Sequence, residues 1–197
     1  MLRVKPIRFL GVEDGSFSPR EFQRRGKALL CMVLMDGFCF QRVFFRHVEV
    51  DGLDATEKLI EVAEKCKPLT AILLGGVTFA GFNIIDPVEA YEKLQVPVIV
   101  CTDEKPDNQA VLNALTKHFK DWRERWRIFE RLAEASPIYE VKLNPSENPV
   151  YMEVVGAELQ EVLEKLKRIT VRGRIPEPLR IADKIAKVVS QALQNAS

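Results

Sequence analysis

The sequence has few of the residues that build the commonest transition-metal sites. Only two of the 197 residues are histidines, His47 and His118, and they lie too far apart in sequence to indicate a histidine metal site. The cysteines show no CxxC spacing and lie in or beside apolar segments, which favours reduced, buried thiols in a cytoplasmic protein over disulfides or zinc ligands. There are four of them: Cys31, Cys39, Cys66 and Cys101.

Long apolar runs and a charge excess are also missing. No stretch approaches the roughly 18 apolar residues of a membrane span, and the charged start, residues 1–6, does not resemble a signal peptide. We therefore expect no membrane association. The formal net charge of +1 argues against a globally basic nucleic-acid binder, although it leaves local basic patches open. The glycines have neither Walker nor Rossmann spacing.

The composition that remains is that of an ordinary globular protein. Hydrophobic residues make up 47% and charged residues 29% of the chain, which suits one sizeable α/β domain. No internal repeat, low-complexity tract or long linker divides the chain. We therefore expect a single domain over residues 1–197.

Three apolar segments near the start predict an antiparallel meander. They cover Ile7–Val12, Ala28–Met35 and Phe38–Val50. Asp36-Gly37 between the second and third is a strong hairpin signal.

The later segments alternate between strands and helices. Predicted strands are Thr70–Leu74, Val96–Cys101, Ile138–Leu143 and Val150–Val155; predicted helices are Asp54–Cys66, Val88–Leu94, Asn108–Phe119, Trp122–Ala135, Glu158–Arg168 and Leu179–Leu193. Strand–helix alternation alone would also suit a doubly wound fold, and the initial meander is what discriminates. The order predicts a ribonuclease H-like α/β fold: a mixed sheet, with the meander followed by parallel strands, and helices on both faces.

Acidic residues follow several apolar segments. Glu13 and Asp14 end the first strand, Asp51 ends the third, and Asp86 ends a glycine-rich loop. Mg²⁺ prefers oxygen ligands and keeps several waters, so two or three carboxylates suffice to hold it. Bound Mg²⁺ or Mn²⁺ could activate water for phosphodiester hydrolysis. The alternatives are a turn for Asp14 and Asp51 and a helix cap for Asp86.

The connection from Gly75 to Asp86 is unusually apolar. We expect it to line a pocket for an unstacked base; the alternative is that it packs as a plug. In a pocket, Asn83 would hydrogen-bond the base edge, and Phe79 or Phe82 would stack on its face. Gly75 and Gly76 could allow a phosphate to approach the backbone.

Basic residues lie beside the first strand and around the last helix. Arg20, Arg24 and Arg25 follow the acidic pair and could hold a phosphate backbone, as could Arg174 and Arg180. Glu177, near the start of the last helix, is either a catalytic acid or an acid favoured by the helix dipole.

Four motifs together resemble one archaeal family, endonuclease dU, a relative of endonuclease V. They are GVEDGSF at 11–17, VDGLDAT at 50–56, LGGVTFAGFNIID at 74–86 and IPEPLRIA at 175–182. The resemblance covers nearly the whole chain. It implies a Mg²⁺-dependent (or Mn²⁺-dependent) endonuclease that acts in repair on DNA containing damaged, deaminated bases, chiefly deoxyuridine.

The resemblance also implies site residues. The first-strand metal ligand of endonuclease V falls at Glu13 or Asp14, and its lysine after the fifth strand has a counterpart in Lys105. Its fourth-strand aspartate falls at Leu74 or Gly75, neither of which can ligate by its side chain, and its Pro-Tyr-Ile-Pro wedge is absent. Metal coordination and lesion recognition would therefore be reorganised. The alternative function is a non-catalytic nucleic-acid or partner-binding module on the same fold.

Overall fold

The computed structural model describes residues 7–14 and 26–195. The strands are β1 Arg8–Asp14, β2 Lys27–Asp36, β3 Cys39–Glu49, β4 Ala71–Leu74, β5 Thr78–Phe79, β6 Asn83–Ile84, β7 Val98–Thr102, β8 Tyr139–Val141 and β9 Val150–Val155. The helices are α1 Ala55–Cys66, α2 Pro87–Leu94, α3 Asn108–His118, α4 Trp122–Ala135, α5 Leu159–Arg168 and α6 Glu177–Asn195.

Seven strands form one mixed sheet in the order β3-β2-β1-β4-β7-β9-β8. The first three pair antiparallel as the predicted meander, and β4 and β7 then run parallel to β1. β9 and β8 add an antiparallel edge beyond β7. The carboxyl ends of β1, β4 and β7 therefore meet at one edge of the sheet, where ligand sites of open α/β sheets occur.

Helices cover both faces of the sheet, as predicted. Alternate residues of each strand point to opposite faces. On β1, Leu10 and Val12 belong to the core shared with α1, α2 and α4, whereas Phe9 belongs to the core shared with α5 and the start of α6.

Helix α6 lies directly against β1. A Cβ atom at Gly11 would overlap the backbone of Pro178, so only glycine at position 11 lets the helix approach this closely. Leu179 is fully buried in the core that contains Phe9 of β1, whereas Ala182 and Ala186 are fully buried against β2. The helix begins at Glu177, two residues before the predicted start at Leu179, because the first i→i−4 bond already joins the Arg180 N–H to the Pro176 carbonyl.

All four cysteines are free thiols. Three of them are buried, as predicted. Cys39 is exposed, so the prediction that it is buried was wrong; it lies at the start of β3, an edge strand of the sheet, where one side is open to solvent.

The apolar connection after β4 folds back as a small hairpin of β5 and β6. Phe79, Ala80, Ile84 and Ile85 are at most 2% exposed, so most of the segment packs into the core. Apolar loop residues favour such packing because leaving them in water forfeits their transfer free energy.

Asn83 is fully buried in this hairpin. Its Oδ1 accepts from the Ala55 N–H at 3.0 Å, and its Nδ2 donates to the Glu49 carbonyl at 2.8 Å and to Asp54 Oδ1 at 2.6 Å. The amide therefore fastens the hairpin to the start of α1. These bonds support the plug interpretation of Asn83 over the pocket interpretation.

Arg125 of α4 fastens the same region from the other side. Its side chain is buried and donates to the carbonyls of Asp51, Gly52 and Phe82 at 2.6–3.0 Å. Asp121 Oδ2 lies 3.0 Å from Arg125 Nη2 and balances its charge. The turn after β3 and the β5–β6 hairpin thus form one cross-linked unit.

Replacing Asn83 with alanine should lower the free energy of unfolding by about 1–3 kcal/mol, because the buried Ala55 N–H loses its acceptor and the Glu49 carbonyl keeps only the Gly52 N–H as a donor. Urea denaturation checks this. Asn113→Ala, on the exposed surface of α3, is the matched control and should change stability by no more than about 0.5 kcal/mol. A stable Asn83→Ala variant would contradict the plug interpretation.

Candidate active site

Glu13 and Asp14 are the last two residues of β1 and leave the strand on opposite faces. Glu13 packs so closely on Gly75, the residue after β4, that a Cβ atom there would overlap its carboxylate. Asp14 Oδ2 accepts a hydrogen bond from the Ala80 N–H at 2.7 Å. Both acids are thus held at the edge where the parallel strands end.

Burial makes the charged form of this pair costly. It raises the pKa of Glu13 from 4.5 to about 8, with further contributions from the negative charges of Asp14 and Asp183. It also raises the pKa of Asp14 from 3.8 to about 6, although the Ala80 N–H bond opposes that change. Neighbouring carboxylates with raised pKa values mark places where a cation would be stabilised.

A third acid, Asp183, comes from α6. Its charge raises the pKa values of both β1 acids, so it lies beside them. Two lysines pair with it: Lys187 Nζ lies 2.6 Å from Asp183 Oδ1, and Lys184 Nζ lies 3.2 Å from Asp183 Oδ2. Asp103, which follows β7, is a weaker neighbour of Glu13.

The spacing of residues in α6 already indicates that Asp183 lies on its buried face, although no motif includes this residue. Leu179, Ala182 and Ala186 mark the buried face of α6. Asp183 lies four residues after Leu179 and three before Ala186, and residues at these spacings share a helix face. An acid on the core-facing stripe of an amphipathic helix costs stability unless it has a partner or a function.

Glu177, the predicted acid of the last helix, occupies a different place. It lies six residues before Asp183, which is about 9 Å along the helix axis. Arg180 donates to Glu177 Oε2 at 2.6 and 3.0 Å, and the buried Oε1 lacks a hydrogen-bond partner among the described residues. Its charge is not among those acting on Glu13 or Asp14. The structure therefore does not bring Glu177 to the β1 pair.

Asp51 lies near the β1 pair but is engaged by the hairpin. Its backbone N–H donates to the Ala80 carbonyl at 2.9 Å, so the Ala80 peptide joins Asp51 to Asp14. Its Oδ1 accepts from the Phe82 N–H at 2.9 Å. The backbone of Asp51 has φ +59°, a left-handed conformation that asparagine and aspartate tolerate in turns.

Asp86 is used elsewhere. It caps α2 by accepting from the N–H groups of Val88 and Glu89, and its Oδ2 pairs with Arg131 at 2.8 Å. It is 3% exposed. The structure favours the helix-cap alternative for Asp86, since Oδ1 caps α2 and Oδ2 is taken by Arg131 of α4.

The donor set at the β1 end suits a hard cation. Its atoms are carboxylate oxygens, the ligands that Mg²⁺ takes, and Mg²⁺ can be held by one or two protein carboxylates with waters completing its shell. Within residues 7–14 and 26–195, no three Asp, Glu, His or Cys side chains converge tightly enough to form a complete cage. The geometry therefore fits a cation held by the β1 pair rather than a structural metal site closed by protein ligands.

A cavity of about 310 Å³ opens beside this pair. The cavity is lined by Gly75 and Gly76 and by the segment between β7 and α3, residues 103–107, which includes Lys105. Since Gly75 also contacts Glu13, the cavity and the acidic pair are neighbours. The structure thus places three of the predicted site residues, Gly75, Gly76 and Lys105, at one cavity.

The two predicted stacking residues lie apart from this cavity. Phe79 is buried in the core. Phe82 is half-buried and makes an edge-to-face contact with Phe119, with 5.3 Å between ring centroids. Neither ring is among the residues that line the cavity beside Gly75.

The predicted phosphate contacts are only partly described. Arg20, Arg24 and Arg25 lie outside the described residues. Arg174 donates to the Pro149 carbonyl at 3.1 Å and lies 3.5 Å from Asp103 Oδ2, at the end of β7. Arg180 is occupied by Glu177.

No helix in the described part of the chain has the length and apolar character needed to cross a bilayer.

Solved structures with a similar fold include several endonucleases. A Bacillus subtilis endonuclease V superposes with a TM-score of 0.62 at 13% identity, over 99% of this chain and 88% of that one. Ciona intestinalis endonuclease V, in complex with a 24mer DNA containing an inosine followed by a ribo-adenosine, gives a TM-score of 0.60 at 15% identity, over 98% and 88%. These similarities confirm the predicted ribonuclease H-like fold.

Nearer relatives are archaeal. A protein of unknown function from Archaeoglobus fulgidus gives a TM-score of 0.78 at 28% identity, over 93% of this chain and 98% of that one. A UPF0215 protein of Thermococcus gammatolerans is 43% identical over 191 residues, covering 95% of this chain and 94% of that protein. The sequence model of the family described as endonuclease dU matches residues 5–190. The chain belongs to the endonuclease dU family.

Proposed function

We propose that this protein is a metal-dependent endonuclease that hydrolyses phosphodiester bonds in DNA containing deaminated bases, chiefly deoxyuridine, as a step of DNA repair. The observation that carries the proposal is the half-buried pair Glu13 and Asp14, with Asp183 acting on both, at the open edge of an endonuclease V-like sheet. Membership of the endonuclease dU family supports the choice of substrate.

Glu13 and Asp14 would hold Mg²⁺ or Mn²⁺, with the charge of Asp183 nearby. A bound ion at this place would stabilise negative charge on the phosphoryl oxygens and make a water molecule more acidic. The acids themselves must be ionised to ligate. Because the pKa of Glu13 is raised to about 8, the ion competes with a proton at neutral pH.

The surrounding residues keep the carboxylates in place. The Ala80 N–H orients Asp14, while the Asp51 backbone N–H donates to the Ala80 carbonyl and the Asp51 carboxylate accepts from the Phe82 N–H. Asp51 is therefore a positioning residue in this proposal. Glu177 has a related role at a distance, since its pairing with Arg180 secures the first turn of the helix that carries Asp183.

Lysines and arginines at this edge would meet the DNA backbone. Lys105 lies in the segment after β7 that lines the cavity beside Gly75, and Lys187 lies beside Asp183. We also propose phosphate contacts for Arg20, Arg24, Arg25 and Arg174. Cations placed along a nucleic-acid path contribute affinity that weakens as salt rises.

A non-catalytic nucleic-acid-binding module is the second candidate. One observation favours it: the position after β4 is Gly75, so that strand supplies no carboxylate to the site. Such a module would bind DNA without a metal requirement.

Duplex oligonucleotides containing deoxyuridine, deoxyinosine or no lesion separate the two functions. We expect cleavage only of the lesion-containing strands, and only when Mg²⁺ or Mn²⁺ is present. Binding without cleavage at any metal concentration would leave the binding module as the better account.

Replacing Asp183 with asparagine should lower the rate of cleavage by about 10²–10³-fold, the usual cost of removing one electrostatic group from a reacting centre. Folding should survive, since the side chain keeps its shape. Glu177→Gln on the same helix is the comparison and should leave the cleavage rate much closer to that of the native protein. Single-turnover assays measure both. A native rate for Asp183→Asn would remove this residue from the site.

Stability should fall as pH rises in the absence of metal. The folded-state pKa of Glu13, about 8, exceeds its ordinary value of 4.5, so the folded protein binds protons that the unfolded chain releases. The stabilisation is complete below about pH 4.5 and is lost as pH rises through about 8. Thermal unfolding between pH 5 and pH 8 measures this decline. Glu13→Gln should reduce the slope, and saturating Mg²⁺ should restore stability at pH 8. Equal slopes of stability against pH in the native protein and in the Glu13→Gln variant would contradict the assignment of the raised pKa to Glu13.

A further inference from the structure

One acidic side chain inside the cavity beside Gly75 has no role in the proposed metal site of Glu13 and Asp14. The cavity lies between the Gly75–Thr78 segment, the β7–α3 segment and α4, and its volume of about 310 Å³ is near the lower end of small-molecule sites. Phe129 and Leu132 of α4 form an apolar wall, and Glu153 of β9 lies at the cavity as well.

Glu153 occupies a position that the sheet would give to an apolar residue. Its strand neighbour Val155 packs on the same face as α4, and its cross-strand partner is Val100, which belongs to the same core. The residue is 8% exposed. A carboxyl group at this position loses hydration that a valine or leucine would not lose.

The carboxyl group of Glu153 has no partner in the described part of the chain. Neither a hydrogen bond nor an ion pair reaches it, and burial is the sole cause that raises its pKa, from 4.5 to about 7. Among the described residues only Glu177 Oε1 is a fully enclosed side-chain oxygen without a partner, so the oxygens of Glu153 keep some exposure at the cavity that the residue lines. A ligand that enters the cavity would supply the missing partner.

We propose that Glu153 contacts substrate: its carboxyl group forms hydrogen bonds with the Watson–Crick edge of an unstacked base that occupies this cavity. A protonated carboxyl offers a donor and an acceptor side by side. Uracil offers the complementary pair, the N3–H and the neighbouring O4. The apolar wall from α4 would contact the ring.

The location and charge of the cavity favour a base over other ligands. Gly75 both lines the cavity and contacts Glu13, so a base held here would belong to a nucleotide close to the scissile phosphate. This inference therefore rests on the proposed function. A phosphate is disfavoured because the mouth also carries Asp103, Glu104 and Asp107.

Metal-free binding to single-stranded oligonucleotides tests the inference without any cleavage. Two oligonucleotides differ at one position, which carries either deoxyuridine or an abasic tetrahydrofuran. Fluorescence anisotropy should show the native protein binding the uracil oligonucleotide about tenfold more tightly, a difference of about 1.4 kcal/mol. Glu153→Gln, which keeps a donor and an acceptor, should retain the preference.

Glu153→Leu should abolish that preference while leaving the affinity for the abasic oligonucleotide unchanged. Its melting temperature should rise, because an unpaired buried carboxyl is replaced by an apolar side chain. Glu153→Met is the second variant if leucine packs poorly. Glu140→Leu, at an exposed position on neighbouring β8, is the control and should keep the preference.

Equal affinities of the native protein for the two oligonucleotides would overturn the inference, as would a preference that persists in the stable Glu153→Leu variant. The proposed function is tested separately by adding Mg²⁺ to lesion-containing duplexes. A protein that cleaves them but shows no base preference refutes the role of Glu153 alone. A protein that prefers uracil but never cleaves supports that role and refutes the nuclease.

Discussion

The close contact between α6 and β1 is the constraint on which the site depends. It requires glycine at position 11, because any side chain there would overlap the backbone at Pro178. The small, buried residues Ala182 and Ala186 bring the next turns of the helix against the neighbouring strand β2. As a result, Asp183 lies beside the acids that end β1. A larger residue at position 11 would push the helix away and separate the acids without changing any of them.

Negative charge concentrated at this edge must be stabilised by the rest of the fold. Glu13 and Asp14 are half-buried beside each other, and the loss of hydration raises the pKa values of both carboxyl groups. The β5–β6 hairpin offsets part of the cost for Asp14 through the Ala80 N–H. Asn83 and Arg125 in turn hold the hairpin against α1 and the turn after β3. The segment that resembles a loop in sequence is therefore a structural support for the site.

The sequence predicted those features that depend on neighbours along the chain. Strand periodicity and the Asp36-Gly37 turn were enough for the meander, and Glu13 and Asp14 stood out because they end an apolar run. Asp183 and Glu153 could not be predicted as site residues from their local sequence. Asp183 lies in an amphipathic helix and Glu153 in an apolar strand, and neither pattern singles out one acidic residue. Their environment comes from other segments: β1 for Asp183, and α4 with the β7–α3 segment for Glu153. The role of Asn83 could be narrowed only to two alternatives, since its partners at residues 49, 54 and 55 are distant in sequence. The contact of Arg20, Arg24 and Arg25 with a phosphate backbone remains a prediction.

A crystal structure of the protein with Mn²⁺ tests the central claim most directly, because anomalous scattering locates this ion without reference to any assumed site. The account predicts a peak within ligand distance, about 2 Å, of carboxylate oxygens from Glu13 and Asp14, with Asp183 directed toward it and Lys187 moved away from Asp183. It also predicts that the peak disappears in Glu13→Gln. A strong Mn²⁺ peak elsewhere in a protein that cleaves DNA, with the β1 pair making no contact to metal, would contradict the account.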